Sequence, residues 1–197
     1  MNQAIALIDG NNFYVACEQI IDPSLVGLPV VVLSNNDGCI VARSPEAREL
    51  GISMGQPYFK IRYELEKLGV VVRSSNYALY GDMSQRFMKL LAQHSEKIEV
   101  YSIDEAFVEI TRPPKFDLRP WARQLRALIH QNLGLPIAIG IGANKVQAKL
   151  ANHLAKNITT HTGIFDLHTS KDQNFWLETI DIENVWGIGP KLAQWCR

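Results

Sequence analysis

Residues 4–8, Ala-Ile-Ala-Leu-Ile, are apolar at every position and stop at Asp9-Gly10. A strand with one wet face alternates apolar and polar side chains. A run with no polar member suits a central strand covered on both faces. The chain is therefore expected to build a layered sheet around its N-terminal segment, with Asp9 at the C-terminal end of that strand. A hydrophobic share of 47% can close such a core, and a charged share of 20% argues against wholesale disorder.

Downstream, Phe13 to Ile21 reads as a helix stopped near Pro23, and Pro29 to Leu33 as a strand with Cys39 to Ala42 as hairpin partner. The intervening Ser34-Asn35-Asn36-Asp37-Gly38 is rich in residues that tolerate positive φ. Ser44 is placed as an N-cap, with Pro45 at the first helical position. Val70 to Arg73 reads as a strand, and Asp82 to His94 as an amphipathic helix with Met83, Phe87, Leu90 and Leu91 on one side. Residues 97–110 form two strands of a hairpin, with Asp104 and Glu105 at or beside the turn. Leu118 to Leu133 is a helix ended by Gly134, Ile137 to Ile141 a strand, Asn144 to Lys156 a helix and Gly163 to Leu167 a short strand. With residues 11 to about 73 set aside, the order is β, α, β, β, α, β, then an extra helix and strand. That is an α+β, ferredoxin-like plan, an antiparallel sheet with helices on one face. The stretch set aside is a small α+β insertion after the first strand. The plan alone implies no function.

Charge and cysteine usage narrow the setting. Lys plus Arg equals Asp plus Glu at 20 each, an unusual balance for a protein that grips nucleic-acid phosphates unless the charge is segregated by face. Cys17, Cys39 and Cys196 are odd in number and form no CxxC, which suits reduced thiols of a cytoplasmic protein. The N-terminus lacks a basic region ahead of a long apolar core, and no apolar run approaches the ~18 residues of a membrane span. Neither a signal peptide nor a membrane partner is expected.

In the ferredoxin-like plan the first strand and the central hairpin are neighbours, so Asp9, Asp104 and Glu105 converge at one edge of the sheet. Three carboxylates in one place repel each other unless cations sit between them. Hard oxygen ligands suit magnesium, and two such ions about 3.5–4 Å apart can activate an attacking oxygen and stabilise a leaving one in phosphoryl transfer. Taken singly, Asp9 also fits a loop cap and Asp104-Glu105 ordinary turn residues; their joint placement favours a nucleotidyl-transfer site.

Several motifs carry a resemblance. Asp9-Gly10-Asn11-Asn12-Phe13-Tyr14-Val15-Ala16-Cys17-Glu18 resembles the first motif of Y-family translesion DNA polymerases, and Tyr101-Ser102-Ile103-Asp104-Glu105-Ala106-Phe107 their second. Residues 31–39 (VVLSNNDGC), Ser75-Asn76-Tyr77, Leu79-Tyr80, Asp82-Met83-Ser84, residues 148–153 (AKLANH) and 185–189 (VWGIG) are similar to the UmuC branch. The resemblance runs, in order, over essentially the whole chain. It implies a palm over 1–10 and 74–167, fingers over 11–73 and the start of a helix-hairpin-helix thumb over 168–197. A full family member would continue with the rest of the thumb, a little finger and a clamp-binding peptide, so the chain reads as an N-terminal fragment.

By the same resemblance Asp9, Asp104 and Glu105 are the catalytic acids and, with the Gly10 carbonyl, bind two Mg²⁺ ions. Tyr14 is the steric gate against ribonucleotides, though its spacing equally suits a core aromatic. Phe13, Arg48 and Lys156 contact the nucleotide, and Gly187, Gly189 and Lys191 a DNA phosphate. Lys145, Lys149 and Lys156 share one helical stripe that is either a solvated face or a phosphate-neutralising one; Val146, Leu150 and Leu154 make the buried stripe. One departure stands out: many Y-family members carry a Tyr three residues before the fingers Arg, where this chain has Pro45, so the triphosphate grip falls to Arg43 or Arg48. The implied function is error-prone, template-directed DNA synthesis in the SOS response. Primer–template DNA and deoxynucleotides are the substrates, and UmuD-like subunits, a RecA-like recombinase filament and the sliding clamp the partners. Two other readings are a palm-fold nucleotide cyclase, which lacks its GGDEF-type loop here, and a non-catalytic remnant that binds partner subunits.

Overall fold

The computed structural model describes residues 2–112, 116–157 and 163–196. Where the expected domain ranges run through Met1, 113–115, 158–162 and Arg197, they lie outside the described residues. The elements run β1 (Asn2–Gly10), α1 (Phe13–Ile21), β2 (Val30–Leu33), β3 (Ile40–Arg43), α2 (Pro45–Glu49), α3 (Tyr58–Lys67), β4 (Val71–Arg73), α4 (Tyr77–Gln93), β5 (Lys97–Val100), β6 (Glu105–Arg112), α5 (Arg119–Leu133), β7 (Ile137–Gly142), α6 (Lys145–Asn157), β8 (Ile164–Asp166), α7 (Gln173–Thr179) and α8 (Pro190–Cys196). By contact the chain divides into two compact units, 1–10 with 86–197, and 11–85. Among the described residues no helix is long and apolar enough to cross a membrane.

The larger unit holds a five-stranded sheet in the order β5-β6-β1-β7-β8. β1 is its middle strand, antiparallel to β6 on one side and β7 on the other, while β8 adds in parallel to β7. Ala4, Ala6, Leu7 and Ile8 are all buried, which accounts for the absence of any polar residue in that run. Without β8 and α6 the order is the expected βαββαβ plan. The additional helix α6 covers the face on which Leu7, Phe107 and Ala148 pack together with Ile5. On the other face lie Ile137, Ile139 and Ile141, since side chains alternate along β7. They are buried, and α5, whose Ala122, Leu125 and Ile129 are buried, packs against the same strand. Helix α6 approaches β7 at backbone distance, because positions 140 and 142 on its face of the strand are glycines. A Cβ on Gly140 would stand 2.0 Å from the Asn152 nitrogen, and one on Gly142 2.5 Å from the Ala148 nitrogen.

The smaller unit is built on a three-stranded sheet, β3-β2-β4, in which β2 is antiparallel to β3 and parallel to β4. Its core joins Val31, Leu33, Ile40, Ala47, Ile52, Leu65 and Val70. Ser44 is buried at the junction: its hydroxyl accepts from Ala47 N–H and Val30 N–H and donates to the Leu28 carbonyl. It therefore caps α2, as expected, and also ties the helix to the sheet.

Four differences from the sequence reading have clear causes. Helix α3 is absent from that reading because it buries only Leu65, with Tyr58 and Ile61 partly covered, while Phe59 and Tyr63 face out and blur the stripe. Helix α4 begins at Tyr77 rather than Asp82; Asn76 Oδ1 accepts from the Leu79 N–H at its start. Its first half belongs to the smaller unit, so the break falls after Gln85 rather than at 73, because Tyr77 and Tyr80 pack against Tyr14 of that unit. On α6, Val146 is 38% exposed; the buried residues are Ala148, Leu150, Ala151, Asn152 and Leu154, with Ala148, Ala151 and Asn152 at the close approach to Gly140 of β7.

Candidate active site

Antiparallel pairing of β1 with β6 puts Asp9 directly across from Glu105 at the sheet edge. The backbone N–H of Gly10 donates to the Asp104 carbonyl at 2.8 Å, closing the end of the ladder. The turn ahead of β6 is organised by Ser102, whose hydroxyl donates to Asp104 Oδ1 at 2.7 Å and accepts from the N–H groups of Asp104 and Glu105. The three acids are thus brought to one end of two adjacent strands.

Helix α6 lies over them with its lysines. Lys156 Nζ is 2.6 Å from Asp9 Oδ1, Lys149 Nζ 2.7 Å from Glu105 Oε1, and Lys145 Nζ 2.6 Å from Glu99 Oε2. Each lysine of the stripe thus meets one acid, while Lys156 and the Lys145–Glu99 pair keep solvent contact. The Lys149–Glu105 pair is the most enclosed, at 18% and 14% side-chain exposure. Asp9 is short of compensation even so. Burial pushes its carboxyl up to about 6; the charge and hydrogen bond of Lys156 pull it down, and Asp104 and Glu105 push it up further.

Among the described residues no three acidic, histidine or cysteine side chains stand close enough together to hold a metal ion, because Asp9 and Glu105 are each turned onto a lysine and Asp104 onto Ser102. The donor set nonetheless fits a hard divalent cation. Asp9 and Glu105 present carboxylate oxygens across one sheet edge, and each already takes a cationic partner at 2.6–2.7 Å.

A cavity of about 620 Å³ opens beside these pairs, walled by Asp9, Glu105, Lys149, His153 and Lys156 on one side and residues 183–189 on the other. Gly187 and Gly189 line it; Gly187 has φ 89°, which a side chain would strain, and Ile188 N–H donates to the Val185 carbonyl to close the turn. Lys191 is exposed in the first turn of α8. Trp186 packs on the sheet edge: its Nε1 donates to the Tyr101 hydroxyl at 3.2 Å, and its ring meets those of Tyr101 and Phe107 at 5.6 and 6.0 Å. Nothing in the spacing of the sequence links residue 186 to residue 101.

In the smaller unit Tyr14 is stacked on Tyr80, with ring centroids 4.2 Å apart and 12° between planes. Tyr80 is fully buried and donates its hydroxyl to Glu18 Oε1 at 2.7 Å. Burial, and then Glu18, hold that hydroxyl protonated well above the usual tyrosine range. Tyr80, itself held by the buried Glu18, and Tyr77 thus pack against the Tyr14 ring, and only the resemblance pointed near them. Phe13 is buried and Arg48 exposed. The Arg43 guanidinium donates to the Ile52 carbonyl, and Arg48 is the more exposed of the two arginines.

A model of the impB/mucB/samB family matches residues 8–153. The chain belongs to this family. Similarity to other impB/mucB/samB-type proteins runs nearly end to end. The UmuC protein of Salmonella typhimurium is 46% identical over 191 residues, covering 96% of this chain and 45% of that protein. DNA polymerase IV of Corynebacterium diphtheriae is 33% identical over 197 residues, covering 96% of this chain and 42% of that protein. The chain therefore spans less than half the length of either relative. The crystal structure of a DinB family error-prone DNA polymerase from Sulfolobus solfataricus superposes with a TM-score of 0.78 at 27% identity, over 97% of this chain and 54% of that one. The fold is accordingly that of the matched part of Y-family polymerases.

Proposed function

We propose that this chain is the catalytic part of a template-directed, error-prone DNA polymerase that extends a primer across damaged template. The observation that carries the reading is the edge formed by Asp9 and Glu105, register partners on β1 and β6, with Asp104 in the adjoining turn. Similarity to proteins named as DNA polymerases supports it.

In this reading Asp9, Asp104, Glu105 and the Gly10 carbonyl hold divalent cations, two Mg²⁺ by the family resemblance. Bound there, the cations would supply charge for the attacking 3′-oxygen and the leaving pyrophosphate. Lys156 exchanges Asp9 for a phosphate oxygen of the incoming nucleotide; Arg48 and the Phe13 backbone are nucleotide contacts by the family resemblance. Tyr14, its ring packed against Tyr80, excludes a 2′-hydroxyl. Gly187, Gly189 and Lys191 take a DNA phosphate: a left-handed turn leading into a helix presents backbone N–H groups to an anion. The chain acts in the cytoplasm on primer–template DNA and deoxynucleotides, with UmuD-like subunits, a recombinase filament and the sliding clamp as partners.

The test is template dependence. The chain, alone and fused to the part of Salmonella UmuC beyond the matched region, is given Mg²⁺, a primer and four templates that differ in one base. Incorporation that follows the template base supports the reading. Incorporation that ignores the template, or none from the fusion with partner subunits and clamp supplied, overturns it in favour of a cyclase or a non-catalytic binding role.

A further inference from the structure

The Lys149 ammonium is held by more than Glu105. It lies 4.3 Å from the ring centroid of Tyr101, 5.4 Å from that of Trp186 and 5.9 Å from that of Phe107. Three ring faces and one carboxylate at 2.7 Å make an aromatic cage around a cation. Two walls, Tyr101 and Phe107, belong to the sheet edge; the third, Trp186, comes from the 185–189 turn that borders the cavity. Trp186 is fastened to the cage by its own hydrogen bond to Tyr101. The turn is in this way joined to one of the proposed metal-binding acids through a single lysine.

We propose that Trp186 controls cation access to Glu105 by holding Lys149 on it. This rests on the proposed metal-binding role of Asp9, Asp104 and Glu105. Glu105 Oε1 is engaged by the ammonium, so a divalent cation must compete with Lys149 for that oxygen. With Trp186 docked, the ammonium is enclosed and the exchange is opposed. When the turn lifts, the cage opens to water on one side, Lys149 leaves more readily and the carboxylate is released. A surface that seats the 185–189 turn elsewhere, such as a nucleic-acid backbone taking its N–H groups, thus primes the acid for its ion. Trp186, Tyr101 and Lys149 are positioning residues in this scheme and touch no reacting atom. Coupling of this kind is reciprocal: a cation that displaces Lys149 must loosen Trp186 to the same extent.

The test is a Mn²⁺ binding isotherm, followed by electron paramagnetic resonance on the full chain, with thermal melting of each variant as a check of folding. Trp186→Ala should tighten Mn²⁺ binding by roughly threefold to tenfold, between the values for an exposed and a desolvated ring face on an ammonium, since Trp186 is itself 39% exposed. Lys149→Met should tighten it at least as much, and the double variant no further than Lys149→Met alone. Trp195→Ala, at a tryptophan that is 85% exposed, should leave the isotherm unchanged. As an independent readout, Mg²⁺ should alter the tryptophan emission of the parent protein and not that of Trp186→Phe. Unchanged or weaker Mn²⁺ binding in folded Trp186→Ala and Lys149→Met, with a parent that binds, overturns the cage proposal and leaves the metal site standing. A parent and a Lys149→Met variant that both fail to bind Mn²⁺ overturn the metal site and the cage with it.

Discussion

Gly140→Ala tests the packing that brings the lysines to the acids. The added methyl would lie 2.0 Å from the Asn152 nitrogen, 2.4 Å from the Ala148 oxygen and 2.6 Å from the Ala151 carbonyl carbon. All three are backbone atoms of α6, so no rotamer change relieves them. To restore ordinary contact at about 3.4 Å, α6 must retreat from β7 by about 1.4 Å, the difference from 2.0 Å. Overpacking of a well-filled core costs about 1–3 kcal/mol, and three simultaneous backbone clashes place this substitution at or above the top of that range. About 3 kcal/mol is a large part of the roughly 5–15 kcal/mol by which domains are stable. At roughly 2–4 °C per kcal/mol for a chain of this size the melting temperature should fall by about 6–12 °C. Melting by circular dichroism measures it. Gly81→Ala is the control: it lies inside α4 with nothing within 4 Å of a Cβ, and should be neutral or stabilising by up to about 1 kcal/mol. If Gly140→Ala melts within about 2 °C of the parent, helix and strand do not meet at backbone distance and the account of how α6 is placed is wrong.

Tyr80→Phe strips the buried Glu18 carboxylate of its donor at 2.7 Å and should cost about 1.5–3 kcal/mol in urea unfolding, with little further loss when Glu18→Gln is added. The Asp9 carboxyl, raised to about 6 from an ordinary 3.8, favours the protonated fold, so its charged form costs stability as pH rises through the window from about 4 to 6. Asp9→Asn should therefore stabilise the metal-free protein by about 1–3 kcal/mol at pH 7.5, where the parent carboxylate is charged, and by nothing near pH 3.5; a gain that persists undiminished at pH 3.5 refutes the burial account. Lys145→Met removes the most exposed of the three lysine–acid pairs, at 37% and 58% exposure, and should change stability by less than about 1 kcal/mol in the same melts.

Much of the larger unit could be read from the sequence because its signals are local. An all-apolar strand, a Gly after a helix and two acids at a hairpin turn each have one structural meaning, and their order leaves the ferredoxin-like plan. What escaped notice depends on pairs distant in the chain. The Gly140–Gly142 alternation marks a strand that meets a helix backbone, yet only the structure shows that the helix is α6, and hence that Val146 rather than a small residue faces out. The acids were legible by type and position, but their partners were not: Lys149 and Glu105 are 44 residues apart and Lys156 and Asp9 147. The lysine stripe looked equally like a solvated face, and α3 hid behind its exposed Phe59 and Tyr63. Trp186 reads as a turn residue until its ring is seen against Tyr101.

The most direct test of the central claim, that the edge bearing Asp9, Asp104 and Glu105 is a nucleotidyl-transfer site, is primer extension with Mg²⁺ by the chain fused to the remainder of Salmonella UmuC, compared with Asp104→Ala in the same protein, on undamaged and abasic templates. The account predicts deoxynucleotide incorporation by the parent on both templates, and background incorporation by a variant that melts like the parent. Incorporation that survives Asp104→Ala would contradict it, because the chemistry would then reside outside this sheet edge.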